Sequence, residues 1–255
     1  LQKVAVLRSP QMCQNWLLMD ENEINKDAGS ARNWVVPRIT HSSLSSLTRK
    51  GLFLCCGKEV WMKLLESYNG KELPRLETER LILRQRTADD VEDMFAYTGL
   101  PEVCYPAGFP PVASLEAERD YFENRYFENL EKKELPSGYG ITVKGDDRVI
   151  GSCDFNHRHE DDVFEIGYLL HPDYWGKGYV PEAVSALIEV AFTILKLHKV
   201  EIRCFDYNKQ SQRVAEKLGF TLEARIRDRK DAQGNRCAEL AYGLLRSEWE
   251  KKKDG

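Results

Sequence analysis

An α+β fold, a mixed α/β domain with a central sheet flanked by helices, is what this 255-residue sequence predicts. Three observations carry the prediction. Short segments in which apolar and polar side chains alternate recur from about residue 76 onward, the mark of half-buried strands. One long segment, Val180 to Leu195, instead repeats its apolar side chains at the i, i+3, i+4, i+7 spacing of a helix that covers a sheet. Between a strand-like segment and that helix lies a short turn with two glycines, Gly176 and Gly178.

In order along the chain, LETERLILRQRT (76–87) opens the strand signal, with Leu81 and Leu83 alternating among charges. Ala88 to Phe95 reads as a helix start, because Asp89, Asp90, Glu92 and Asp93 gather at the end where a helix favours negative charge. Pro101, Pro106, Pro110 and Pro111 then predict a loop. LEAERDYFENRYFENLEKK (115–133) is a second helix, with Leu115, Tyr121 or Phe122, Tyr126 and Leu130 on one face. GYGITVKG and RVIGSCDFNH, joined by the turn Gly145-Asp146-Asp147, read as two strands of a hairpin or meander. VFEIGYLL (163–170) is a further strand, and HPDYWGKGY leads from it into the long helix, where Val180, Ala183, Val184, Leu187, Ile188, Ala191 and Leu195 share a face. KVEIRCF is a strand, NKQSQRVAEKLGF a short helix ending at Gly219, and residues 221–229 and 236–245 are the closing strands.

Composition narrows the function classes. The apolar share of 42% and charged share of 31% are those of a globular domain rather than a disordered chain. No apolar run approaches a membrane span and the first residues lack a signal-peptide pattern, so a cytosolic protein with no membrane partner is expected. Seven scattered cysteines without a C-x-x-C spacing predict reduced thiols and no zinc site. A net charge of −4 argues against direct nucleic-acid binding.

The first 61 residues differ from the rest. They carry 8 Lys and Arg against 5 Asp and Glu, or +3, which leaves −7 for Met62 onward. The segment Gly57-Lys58-Glu59-Val60-Trp61-Met62 can be encoded with a ribosome-binding GGAGG just before an ATG. The expected organisation is an extension over 1–61, translated from upstream or non-native, followed by the working domain at 62–255. The other reading is a genuine extension that packs on the domain or mediates association.

The chemistry concentrates around Tyr174-Trp175-Gly176-Lys177-Gly178-Tyr179-Val180. Glycines let a backbone approach a phosphate closely, unpaired N–H groups at a helix start favour an anion, and Lys177 adds charge. Alone, two glycines between a strand and a helix are as often a plain turn. The ordered set VFEIGYLLHPDYWGKGYVPEA, then VEIRCFDYNKQSQRVAEKLGF, then a terminal hairpin ending in SEW, is more specific. Over about Leu76 to Trp249 the sequence resembles the GNAT superfamily of N-acetyltransferases, most closely its RimJ/RimL-like branch of ribosomal-protein acetyltransferases.

That resemblance implies a mostly antiparallel twisted sheet, splayed between its fourth and fifth strands, with helices on both faces. It implies acetyl-coenzyme A as cosubstrate and a primary amine as acceptor, without a metal. Its pyrophosphate motif, Gln/Arg-x-x-Gly-x-Gly/Ala, falls on Trp175, Gly176, Lys177, Gly178, Tyr179 and Val180, and both outer positions depart from it. Val180 still supplies a backbone N–H, and Pro181 suits a first helical turn. The splayed strand would offer the backbone of Ile166, Gly167, Tyr168, Leu169 and Leu170 to the acetyl and pantetheine groups. An interior glycine such as Gly167 also marks a bulge or close approach on physical grounds.

By the same resemblance Asn208 contacts pantetheine and Ser211 donates to the departing thiol, because the position where many relatives carry a tyrosine is Ala215 here. Either residue could equally cap a helix. Direct acyl transfer needs a base for the amine proton, and Glu165 on the splayed strand is the first candidate, acting through water. His157 and His159 read as surface histidines, and Arg225, Arg227 and Arg229 as a charged face on an edge strand. The acceptor is expected to be an α-amine on a peptide N-terminus or small molecule. Competing readings are a polyamine, amino-acid or antibiotic acetyltransferase, and a catalytically silent acyl-CoA-binding regulatory module. Homodimer formation is compatible with either.

Overall fold

The computed structural model describes residues 73–254, and the boundary expected at Met62 lies outside them. The described residues build one eight-stranded sheet: β1 (Leu76–Glu77), β2 (Leu81–Gln85), β3 (Tyr139–Val143), β4 (Gly151–Glu160), β5 (Val163–Leu170), β6 (Lys199–Phe205), β7 (Thr221–Lys230) and β8 (Arg236–Leu245). Their spatial order is β1-β2-β3-β4-β5-β6-β8-β7. Every neighbouring pair is antiparallel except β5 with β6. Segment 76–87, read as one strand, is a tight hairpin instead, because Thr78 turns the chain by bonding to the Leu81 carbonyl through its N–H at 3.0 Å.

Helices cover both faces. On one, α5 (Tyr179–Thr193) buries Ala183, Val184, Leu187, Ile188, Val190, Ala191 and Phe192 against Leu81, Leu83, Ile166, Val200 and Ile202. Apolar burial of this kind contributes about 1.5–3 kcal/mol per large side chain. On the other, α1 (Val91–Thr98) and α3 (Leu115–Tyr121) enclose Val91, Met94, Tyr97, Phe122, Tyr126 and Val149. Thr87 and Asp90 form a capping box at the start of the turn that leads into α1. A π-helical turn, Phe122–Tyr126, joins α3 to α4 (Phe127–Lys132), and it settles the choice of core side chain at this point: Phe122 is buried, whereas Tyr121 is 40% exposed.

Two further segments depart from the sequence reading. The proline-rich stretch contains a helix, α2 (Pro101–Ala107). Pro101 stands at its first turn, where a missing N–H is harmless, and Gly108 ends it at a left-handed φ of 97°. The chain also closes in α7 (Arg246–Asp254), which docks Trp249 against Phe192 with ring centroids 5.3 Å apart. The remaining helix, α6 (Lys209–Leu218), ends at Gly219 as expected.

The feature that positions the site is an interrupted ladder. β5 and β6 pair only at Val163↔Lys199, Phe164↔Val200 and Glu165↔Glu201, and beyond Glu165 the strands part. VFEIGYLL and KVEIRCF, fourth and fifth from Leu81, are the pair expected to splay. β5 remains tied to β4 throughout, with Asn156 bulging between Phe155 and His157. A Cβ at Gly167 would lie 1.8 Å from the Asn156 amide, so the glycine makes room for this bulge.

A largely buried ion pair, its side chains 10% and 18% exposed, joins the sheet to the α1 and α3 layer. Arg86 bonds Asp154 at 2.5 Å and the Tyr126 hydroxyl at 2.6 Å. Burial pushes the Asp154 carboxyl above its ordinary value, with Arg86 opposing the shift. Arg86→Met leaves that carboxylate without its cation and is expected to cost about 3–5 kcal/mol in urea unfolding at pH 7. Arg86→Met combined with Asp154→Asn should recover part of the loss. A single variant as stable as the parent would show that the pair does not matter to the fold.

Candidate active site

The turn after β5 has the backbone geometry its glycines allow. Gly176 and Gly178 adopt φ of 75° and 80°, which side-chain-bearing residues rarely occupy. Gly178 is the residue before α5, and the first bond of the helical ladder runs from the Glu182 N–H to the Gly178 carbonyl at 3.3 Å. The N–H groups of Gly178, Tyr179 and Val180 precede that bond and carry the positive end of the helix dipole. Lys177 is exposed, its ammonium 4.9 Å from the centre of the Tyr174 ring. The indole of Trp175 is held by the strand it follows. It donates to the Leu170 carbonyl at 2.8 Å and so ties the turn to the end of β5.

The opening beside β5 is lined by alternate residues. His171 donates its N–H to the Ile150 carbonyl at 2.8 Å, so in the antiparallel register Gly167 and Leu169 direct their backbone groups at β4. Those of Ile166, Tyr168 and Leu170 point to the side from which β6 has departed. The five residues expected to line the site therefore divide into three that face the gap and two that hold the strand.

Ser211 lies at the start of α6, buried to 7% exposure, and its hydroxyl is 2.7 Å from the Tyr168 hydroxyl. It is not the cap of its helix. Asn208 takes that role, its Oδ1 accepting from the Ser211 N–H at 3.1 Å, while its Nδ2 donates to the Pro106 carbonyl of α2. Ala215 is fully buried in the core. The Tyr168 phenol occupies the gap's lining. Burial pushes its pKa up, with the Ser211 bond opposing the shift, so it stays protonated near neutrality. Cys204 on β6 adjoins Ser211, and burial pushes its thiol up to about 11.

Glu165 sits at the last paired step of β5 and, by strand alternation, on the opposite face from Tyr168. Its Oε2 lies 3.1 Å from His159 Nε2 and 3.7 Å from Arg203 Nε. His159 is exposed, as expected of a surface histidine, but it is engaged with this carboxylate. A second irregularity of β4, between Arg158 and Glu160, brings it to Glu165 and within 3.6 Å of Glu201. Among the described residues no three His, Cys, Asp or Glu side chains gather as a metal site.

β7 is the exposed edge strand expected, but its arginines do not share one face. A bulge between Ile226 and Arg229 inverts the alternation, so Arg225 pairs across from Leu240 and Arg229 from Cys237. Arg225 bonds Asp206 at 2.5 Å and Arg229 bonds Glu239 at 2.8 Å, which satisfies two of the three charges on this sheet edge. Sequence reading also passed over the Tyr168 side chain and Arg80, because neither belongs to a motif and each gains its importance from a contact far along the chain.

Comparison with known proteins bears on the family and the fold. A family profile described as an acetyltransferase (GNAT) domain matches residues 80–221. An uncharacterized N-acetyltransferase, p20, of Bacillus licheniformis is 33% identical over 175 residues, covering 68% of this chain and 97% of that one. The crystal structure of a GNAT-family acetyltransferase from Bacillus anthracis superposes with a TM-score of 0.58 at 25% identity, over 68% of this chain and 99% of its own. A ribosomal-protein-S5-alanine acetyltransferase from Vibrio fischeri shares the fold, with a TM-score of 0.58 at 21% identity over 69% of this chain and 99% of its own.

The division of labour between Asn208 and Ser211 is testable by stability alone. Asn208→Ala is expected to lower the unfolding free energy by about 1 kcal/mol through loss of the cap. Ser211→Ala, which leaves the cap in place, should cost about 1–3 kcal/mol through the lost bond to Tyr168, and most of that cost should vanish in a Tyr168→Phe background. A loss unchanged in that background, read in thermal melts, would return Ser211 to a capping role.

Proposed function

The chain belongs to the GNAT acetyltransferase family and is an N-acetyltransferase, and from that premise we propose that it uses acetyl-coenzyme A to acetylate a primary α-amine. The observation that carries this reading is the conjunction at one place of the parted β5 and β6, the left-handed glycine turn and the Tyr168–Ser211 pair. The residues fit the cosubstrate. The turn from Gly176 to Val180, with Lys177, suits a pyrophosphate, and the strand-side groups of Ile166 and Tyr168 suit an amide-bearing arm and the acetyl oxygen.

In this reading the amine nitrogen forms a bond to the thioester carbon, its proton leaves towards Glu165 through water, and the carbon–sulfur bond breaks. Tyr168 donates to Ser211 Oγ, which leaves the serine proton free to meet the developing thiolate. Base and thiol donor stand on opposite faces of β5, so the amine and the leaving sulfur need not compete for one side of the carbonyl. The fold shared with a ribosomal-protein-S5-alanine acetyltransferase supports a peptide N-terminus as acceptor. A thiol-release screen against terminal peptides, polyamines, amino acids and aminoglycosides tests that choice. Binding of acetyl-coenzyme A without turnover of any amine would favour a regulatory module instead.

Two substitutions test the site. Gly178→Asp, which adds a side chain and a negative charge at a left-handed position, is expected to abolish acetyl-coenzyme A binding in calorimetry while the chain still melts cooperatively. Retained affinity would displace the pyrophosphate from this turn. Ser211→Ala is expected to slow single-turnover transfer by about 10²–10⁴ with little change in the dissociation constant for acetyl-coenzyme A, because its help grows as the bond to sulfur breaks. An unchanged single-turnover rate would remove the serine from the chemistry.

A further inference from the structure

Arg80, in the hairpin between β1 and β2, contacts both the glycine turn and the first turn of α5. Its Nη1 donates to the Lys177 carbonyl at 2.8 Å. Its Nε and Nη2 hold the Glu182 carboxylate at 2.7 and 2.6 Å, and its own backbone N–H reaches the other Glu182 oxygen at 2.9 Å. Thr78 Oγ1 completes the shell of Glu182 at 2.6 Å. The guanidinium also lies over the Tyr179 ring, 4.8 Å from its centre.

Two physical consequences follow. In a trans peptide the carbonyl and the next N–H point in opposite directions, so anchoring the Lys177 carbonyl to Arg80 fixes where the Gly178 N–H is aimed. Glu182 meanwhile places a negative charge in the first turn of α5, where it occupies the favourable end of the dipole and repels an incoming anion. Burial alone would raise its pKa, but the bonds from Thr78 and Arg80 bring it below the usual carboxylate value, so the charge is present and needs cancelling.

We propose that Arg80 is the positioning residue of the phosphate turn: it sets the Lys177–Gly178 peptide plane and neutralises Glu182, so that the helix start accepts a diphosphate. This rests on the acetyl-coenzyme A reading above. The role calls for a planar fork, since one group must serve a carbonyl and a carboxylate together, and a lysine ammonium lacks that geometry.

The test measures coenzyme A binding by calorimetry, with S-acetylpantetheine turnover as a control that lacks the diphosphate. Arg80→Ala is expected to weaken coenzyme A binding by about tenfold to a hundredfold, the scale of a lost charged hydrogen bond. Turnover of S-acetylpantetheine should stay within about twofold of the parent. Arg80→Lys should restore little, whereas Arg80→Ala with Glu182→Gln should regain part of the affinity because the uncancelled charge is gone. Unchanged coenzyme A affinity in Arg80→Ala, or an equal loss with S-acetylpantetheine, overturns the proposal. A double variant no tighter than Arg80→Ala overturns its electrostatic half. If the parent chain fails to bind coenzyme A, the donor reading itself falls and takes this one with it, an outcome distinct from the others.

Discussion

The arrangement depends on a ladder that stops. Three residue pairs hold β5 to β6, and after Glu165↔Glu201 the strands diverge, although β5 stays bonded to β4 and β6 to β8. Buried backbone groups left without a partner are costly, so a parted pair of central strands persists only where something supports the gap. Here Trp175 takes the Leu170 carbonyl at one end. At the other, the Glu165 and Glu201 carboxylates meet Arg203 and His159. What lies between is backbone that can serve another molecule.

The same gap organises the charges. Arg203 joins Glu201 at 3.0 Å, and Lys199 joins Glu201 at 2.9 Å and Glu223 at 2.6 Å, forming a layer on the Glu165 face of the sheet. Burial alone would raise the Glu201 pKa, but Lys199 and Arg203 bring it below its ordinary value. On the opposite face the lining is neutral: Tyr168, Ser211 and Cys204 carry hydroxyls and a thiol whose pKa burial pushes upward. A charged face suits proton removal from an amine, and a neutral one suits a thioester.

Most of the fold was legible because it is written in local periodicity. The apolar spacing of Ala183 to Ala191 requires a covering helix, the short apolar run VFEIGYLL ahead of a Pro/Gly loop reads as a strand, and Gly219 stops α6 where it was expected. The misses share a different cause. Pro101 and Pro106 look like breakers, yet one stands where a helix has an N–H to spare and the other lies in a helix only two turns long. The β7 bulge at Arg227 and Asp228, which separates Arg225 from Arg229, follows from pairing with β8, and no single strand contains that information. Site residues divide likewise. Gly178 and Ser211 announce themselves by position, whereas Arg80, Tyr168 and His159 matter through partners 97, 43 and 6 residues away.

The charged face also bears on which amine the site can serve. At pH 7 a neutral nitrogen costs about 1.4 kcal/mol for an α-amine of pKa near 8 and about 4.6 kcal/mol for a lysine of pKa near 10.4. That difference must come from the protein, through a carboxylate free to attract the proton. Glu165 is not free in this sense: His159 and Arg203 both approach the same oxygen, Oε2. Its other oxygen can hold a water, which is enough to carry a proton away from an amine that surrenders it easily. A lysine would require the Arg203 contact to loosen so that the carboxylate could bind the ammonium first. On the proposed role of Glu165 as base, this geometry favours the less basic amine, and removal of Arg203 is expected to broaden the range of acceptors.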